Sequence, residues 1–169
     1  MKKRESLSES FIKCGLDLHV VPDEDGLYNG HVSPPSHSLF FWSLAWIGLI
    51  SGIYALFVGY YDLSLVPLGI WLTSINYWRR PVLTSWRRYI DIGYVNIALF
   101  YQLFRARFAE HAIIYYSVTV VTLLFFPLSW YLHNRKLIVI ATLCHGMVHI
   151  LGNVGNFILY SGYIPDEVW

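Results

Sequence analysis

The sequence predicts an all-α membrane protein: about five transmembrane helices in a compact bundle, preceded by a polar N-terminal tail. Three observations carry that expectation. Apolar residues make up 56% of the 169-residue chain, charged residues only 14%, and the mean hydropathy is +0.45, a balance foreign to soluble domains of this size. Long uncharged runs alternate with short charged clusters. Finally, the segment from Asn76 to Asp91 carries Trp-Arg-Arg twice and concentrates four of the twelve basic residues in one connection. Arginine is costly in lipid and tryptophan settles at headgroup level, so Trp78, Arg79, Arg80, Trp86, Arg87 and Arg88 are the expected interface anchors.

Residues 1–37 form the polar tail, with Asp23-Glu24-Asp25-Gly26 and Ser33-Pro34-Pro35-Ser36 as turn signals. Its composition alone reads as disordered, and its expected role is to dock on partner proteins of a larger assembly. Residues 38–61 are 24 residues without a charge, long enough to cross a hydrocarbon core of ~30 Å. Along them Ala45, Gly48, Gly52, Ala55 and Gly59 recur at spacings of three and four, and Gly48 and Gly52 make a close-packing pair. A neighbouring span of the same chain is the favoured partner of that seam, with a second copy in a homo-oligomer as the alternative.

Residues 63–78 are short and contain Pro67, which leaves tilted, kinked and re-entrant arrangements open. Residues 89–104 form a second short span that includes Asp91 and ends before Arg105 and Arg107. Residues 111–131 form a strong span with Pro127 near its end, and 136–163 are the longest apolar run, where Gly152 and Gly155 again permit close helix approach. Residues 164–169 remain as a short C-terminal tail.

With five crossings, Lys2, Lys3, Arg4, Lys13, Arg79, Arg80, Arg87, Arg88, Arg135 and Lys136 fall on one side and only Arg105 and Arg107 on the other. The positive-inside rule then makes the N-terminus cytoplasmic, and a re-entrant 63–78 would scatter these clusters over both faces. A net charge of +1 without a basic stripe excludes a nucleic-acid binder. Cys14 and Cys144 lie in unlike environments, so no disulfide is expected between them. No short apolar core with a small-residue cleavage site follows the basic start, so the first span is expected to act as the targeting signal.

Ionisable groups inside spans are functional candidates because each is costly unless paired. For Asp91 the roles are metal ligand or proton carrier; the plainer reading is an ion pair with Arg87 or Arg88 on the same helix. His145, His149, Asn153, Asn156 and Tyr160, spaced four, four, three and four, form one polar stripe on the last span. Two histidines at i and i+4 can share a metal ion, but no Glu lies between them, and Asp91 sits nearer the basic side than His145 does. The favoured reading is an interhelical polar network of Asn96, His145, His149, Asn153 and Asn156, with no metal or other cofactor.

Asn76-Tyr77-Trp78-Arg79-x-Pro81, Arg87-Arg88-x-x-Asp91 and His145-x-x-x-His149-x-x-Gly152-Asn153 together resemble uncharacterised short polytopic membrane proteins of large DNA viruses of algae and protists. That resemblance implies a setting, the membrane beneath a viral capsid, with a minor capsid type of role and no assigned activity. A second likeness is to alkaline ceramidases, membrane hydrolases with Ser, Asp and His around an intramembrane zinc; it would use His145, His149 and Asp91, but those enzymes have seven spans. The expected function is therefore a multi-span structural subunit that anchors a large protein assembly to a lipid bilayer. A zinc-dependent intramembrane hydrolase and a small oligomeric channel or transporter are the alternatives.

Overall fold

The computed structural model describes residues 31–165, which form five helices: α1 (Pro35–Phe57), α2 (Tyr61–Trp78), α3 (Trp86–Ala106), α4 (Ala112–Asn134) and α5 (Ile138–Ser161). Most of the polar tail, with its expected docking role, and residues 166–169 lie outside the described residues. Local chemistry explains where the helices differ from the expected 38–61, 63–78, 89–104, 111–131 and 136–163. Helix α1 starts earlier because Pro35 occupies a first-turn position, where its missing N–H costs nothing. It stops at Phe57 because Gly59 turns the chain with φ of 91°. Helix α3 starts earlier, at Trp86, because Ser85 caps it, its hydroxyl accepting the Arg88 N–H at 3.4 Å. Helix α5 starts later because Lys136 takes a left-handed conformation, φ 61°.

The helices lie in the order α3–α2–α1–α5–α4, with α1 packed between α2 and α5, and with α3 and α4 meeting only sparsely. Their ends fall into two groups. At one end the Val32 N–H donates to the Pro81 carbonyl (2.9 Å), placing the start of α1 beside the α2–α3 connection. At the other, the Tyr60 hydroxyl donates to the Gly162 carbonyl (2.7 Å), and the Glu110 N–H donates to the Tyr163 carbonyl (2.9 Å). Successive helices therefore run in opposite directions. Arg79, Arg80, Arg87, Arg88, Arg135 and Lys136 belong to the first, basic end, and Arg105 and Arg107 to the far end.

Three of the five helices, α1, α4 and α5, are long and apolar enough to cross a membrane. Helices α2 and α3 fall short of that composition, so the expectation of five crossings is met by length and sequence in three. Helix α2 has 18 residues, about 27 Å, with Asp62 in its first turn and Pro67 inside. Helix α3 carries Arg87, Arg88, Asp91 and Arg105.

Burial runs opposite to that of a water-soluble domain. Inside are Ser51, Ser74, Asp91, Gln102, Arg105, Thr142 and Asn156, together with small residues such as Ala45, Ala55, Ala98, Ala106 and Ala141. Outside are Phe57, Ile97, Phe100 (74% exposed), Ile113 (82%), Leu124 and Trp130. Small residues let the backbones approach. A Cβ at Gly48 would lie 3.2 Å from the Pro67 carbonyl oxygen, and one at Gly52 2.6 Å from Leu68, so the seam on α1 is filled by α2 of the same chain. Gly155 faces Tyr115 and Val118 of α4, while Gly152 comes no nearer than 4.0 Å to Thr122. The tightest approach has no counterpart in the small-residue pattern: a Cβ at Gly69 would land on the phenol of Tyr94, whose hydroxyl donates to the Leu65 carbonyl at 2.7 Å.

Two alanine substitutions should therefore move thermal stability in opposite directions. Gly69→Ala displaces Tyr94 and is expected to cost ~1–3 kcal/mol through overpacking. Gly93→Ala, with open space around the new methyl, should stabilise α3 by ~0.5–1 kcal/mol. Melting temperatures of the two variants in the same detergent would check both signs.

Candidate functional site

The polar stripe of α5 divides into two parts. Near the basic end, His145 and His149 face each other edge-on with ring centroids 5.5 Å apart. Around His145 stand Phe41 of α1 at 4.8 Å, Trp78 of α2 at 5.6 Å and Phe126 of α4 at 6.0 Å, so the imidazole sits within an aromatic cage. Gly146 makes the cage possible, since a Cβ there would lie 2.8 Å from the ring of Phe40. Among the described residues no three His, Cys, Asp or Glu side chains converge as metal ligands. Carbon rings from three helices flank His145, and the remaining side borders a cavity.

Trp78 is a correction to the expected interface belt. It is buried against Phe41 and Tyr77 and serves the cage, whereas Trp86 is 62% exposed, with the Arg87 guanidinium 5.7 Å from its ring. Arg79 and Arg80 are exposed, and Arg87 and Arg88 partly buried. Beside the cage lies a cavity of about 200 Å³, bounded by Phe41, Phe126, Trp130, His133, Thr142 and His145 among others. A second recess of about 500 Å³ opens beside His31, Trp42 and Arg79.

Asp91 stands apart from the histidines in its bonding. Its Oδ1 accepts from Thr73 Oγ1 and Ser74 Oγ, both at 2.8 Å. The expected ion pair with Arg87 or Arg88 is replaced, because Asp91 is buried against α2 while Arg88 donates to the Leu83 carbonyl at 3.3 Å. Two hydroxyl donors satisfy the carboxylate without bringing a second charge inside.

The lower half of the stripe joins four helices. Ser51 Oγ of α1 donates to Asn153 Oδ1 (2.6 Å) and lies 3.5 Å from Asn156 Nδ2. The Gln102 amide of α3 donates to Asn156 Oδ1 (2.7 Å) and to the Tyr160 hydroxyl (3.0 Å). Tyr160 in turn donates to the Leu63 carbonyl of α2 at 3.3 Å. That carbonyl is the one Pro67 strands, since proline has no N–H to return to residue i−4. Asn96 takes no part: it is exposed, and its amide bonds to Ile92 of its own helix at 2.7 Å. Gln102 and Ser51 supply what Asn96 was expected to supply. The signal is present in Asp91, Ala98, Gln102 and Arg105, spaced seven, four and three along one face of α3.

At the far end Arg105 is buried. Its Nε donates to Asp62 Oδ2 (2.7 Å), which also accepts from the Tyr101 hydroxyl (2.6 Å), and its Nη1 donates to the Pro165 carbonyl (2.6 Å). The ion pair ties the last turn of α3 to the first turn of α2. By sequence Arg105 reads only as a loop charge.

No protein-family model, curated protein or solved structure matches this chain.

Replacing Gln102 by Leu should cost ~1–3 kcal/mol, because Asn156 Oδ1 and the Tyr160 hydroxyl lose their donor in a buried site. Tyr160→Phe should cost less, and the double variant should fall short of the sum of the two. A double-mutant cycle of melting temperatures would measure that coupling.

Proposed function

We propose that the protein is a five-span membrane anchor, a structural subunit that ties proteins of a larger assembly to a lipid bilayer. One observation carries the reading: all five helices, α2 and α3 included, turn large apolar side chains outward and polar ones inward. On α3 the charged and amide groups Asp91, Gln102 and Arg105 are buried, while Ile90, Ile97, Phe100 and Phe104 are exposed. In water that arrangement would be unfavourable at every exposed side chain; in hydrocarbon it is the stable one. The cations gathered at the basic end favour a cytoplasmic N-terminus. The polar interior supports structure rather than chemistry, because its donors and acceptors are spent on one another across helices. The motif resemblance offers the membrane beneath a viral capsid as the setting. The polar N-terminal tail, most of which lies outside the described residues, is the segment to which this reading assigns the partner proteins.

Sided labelling tests the crossings. In a variant with Cys14 and Cys144 replaced by Ser, a membrane-impermeant maleimide should reach Leu83→Cys and Lys136→Cys from one side of sealed vesicles and Phe108→Cys from the other. If Phe108→Cys labelled on the same side as Leu83→Cys, α3 would not cross and the five-span reading would fail.

The anchoring role predicts that His145→Ala/His149→Ala lowers the melting temperature, because aromatic contacts worth ~0.5–1.5 kcal/mol per pair are lost. Metal content should be the same in wild type and variant. Stoichiometric zinc in the wild type that vanishes in the variant would favour a hydrolase instead.

A further inference from the structure

We propose that the cavity beside His145 holds one acyl chain of an anionic membrane lipid, with the lipid's acidic head at the α4–α5 turn. The inference rests on the membrane reading above and adds a ligand to it. At about 200 Å³ the cavity is smaller than the ~300–1,000 Å³ of sites that enclose a whole small molecule. It suits a length of hydrocarbon whose remainder lies outside.

The mouth faces the right way for such a ligand. Phe126 and Trp130 line the cavity and are also exposed on the outer face of α4, 57% and 69% respectively, so the opening gives onto apolar surface. A lipid chain is already there.

The wall is mixed in polarity. Phe41, Phe126 and Ala141 are apolar, the Ser129 and Thr142 hydroxyls donate to the Ala141 and Ile138 carbonyls, and His133, one turn beyond Trp130, is close in sequence to Arg135 and Lys136 at the α4–α5 turn. Among the described residues the one acid near this end is Asp91, and it is turned into α2 and bonded to two hydroxyls. The cations at this turn favour a negative head such as a phosphodiester over a zwitterionic one.

Native mass spectrometry of the detergent-purified full chain, titrated with phosphatidylglycerol or phosphatidylcholine, tests the site. The expected result is one phosphatidylglycerol adduct, held at least about tenfold more tightly than phosphatidylcholine. Ala141→Phe, which fills the cavity, should weaken that adduct about tenfold. Arg135→Gln/Lys136→Gln should retain an adduct but bring the two lipids level. Should Ala141→Phe melt far below wild type, Trp130→Ala, which removes an exposed wall, carries the same arm and should also weaken binding.

Equal binding of the two lipids by wild type, or a phosphatidylglycerol adduct untouched by the folded cavity variant, would overturn the proposal. Displacement of the lipid by inorganic phosphate would overturn it too, by reducing the site to surface cations. Sided labelling reads membrane insertion separately, so lost lipid selectivity with intact labelling would count against this site alone.

Discussion

The side-chain amide of Gln102 is the hinge of the bundle's interior. It reaches from α3 to Asn156 and Tyr160 of α5, Asn156 continues to Ser51 of α1, and Tyr160 continues to the Leu63 carbonyl of α2. Where water is absent, the alternative to each of these bonds is a group left unsatisfied at ~1–3 kcal/mol. Sliding or rotating one helix would break several bonds together. The network thereby selects a single register from packings that apolar contact alone would leave nearly equivalent.

Hydrogen bonds this short between helices require backbones to come close, and small residues meet that requirement. Gly48 and Gly52 bring α1 onto α2, Gly69 accepts the ring of Tyr94, and Ala55 and Ala106 are completely buried where α1 and α3 enter the far-end core. Bulk is displaced outward as a consequence. Proline has a matching place in this scheme: Pro67 frees a carbonyl that Tyr160 then uses, so a local defect in α2 becomes a tie to α5.

The two ends of the bundle have different characters. The far end is drawn together by Arg105 with Asp62, by Tyr60 with Gly162, and by Glu110, whose N–H and carboxylate both bond to Tyr163. Its charge is largely consumed by structure. The basic end keeps Arg79 and Arg80 at the surface and leaves a cavity between α1, α4 and α5.

Apolar run length and turn chemistry are one-dimensional properties, and the features that depend on them were determined by the sequence alone. The all-helical class, five helices at nearly their true positions, the alternation of direction and the gathering of basic residues at one end are all of this kind. So is the close packing of α1 through Gly48 and Gly52, because small residues at helical spacing fix a face. The tertiary structure alone decided which polar groups meet. Asp91 bonds to hydroxyls eighteen and seventeen residues away rather than to arginines three and four away, because α3 is rotated toward α2. Trp78 belongs to the cage rather than the interface, and Gln102 rather than Asn96 completes the network, for the same reason. A pairing depends on how two helices are turned about their axes relative to a third, and that angle is set by the packing of the whole bundle.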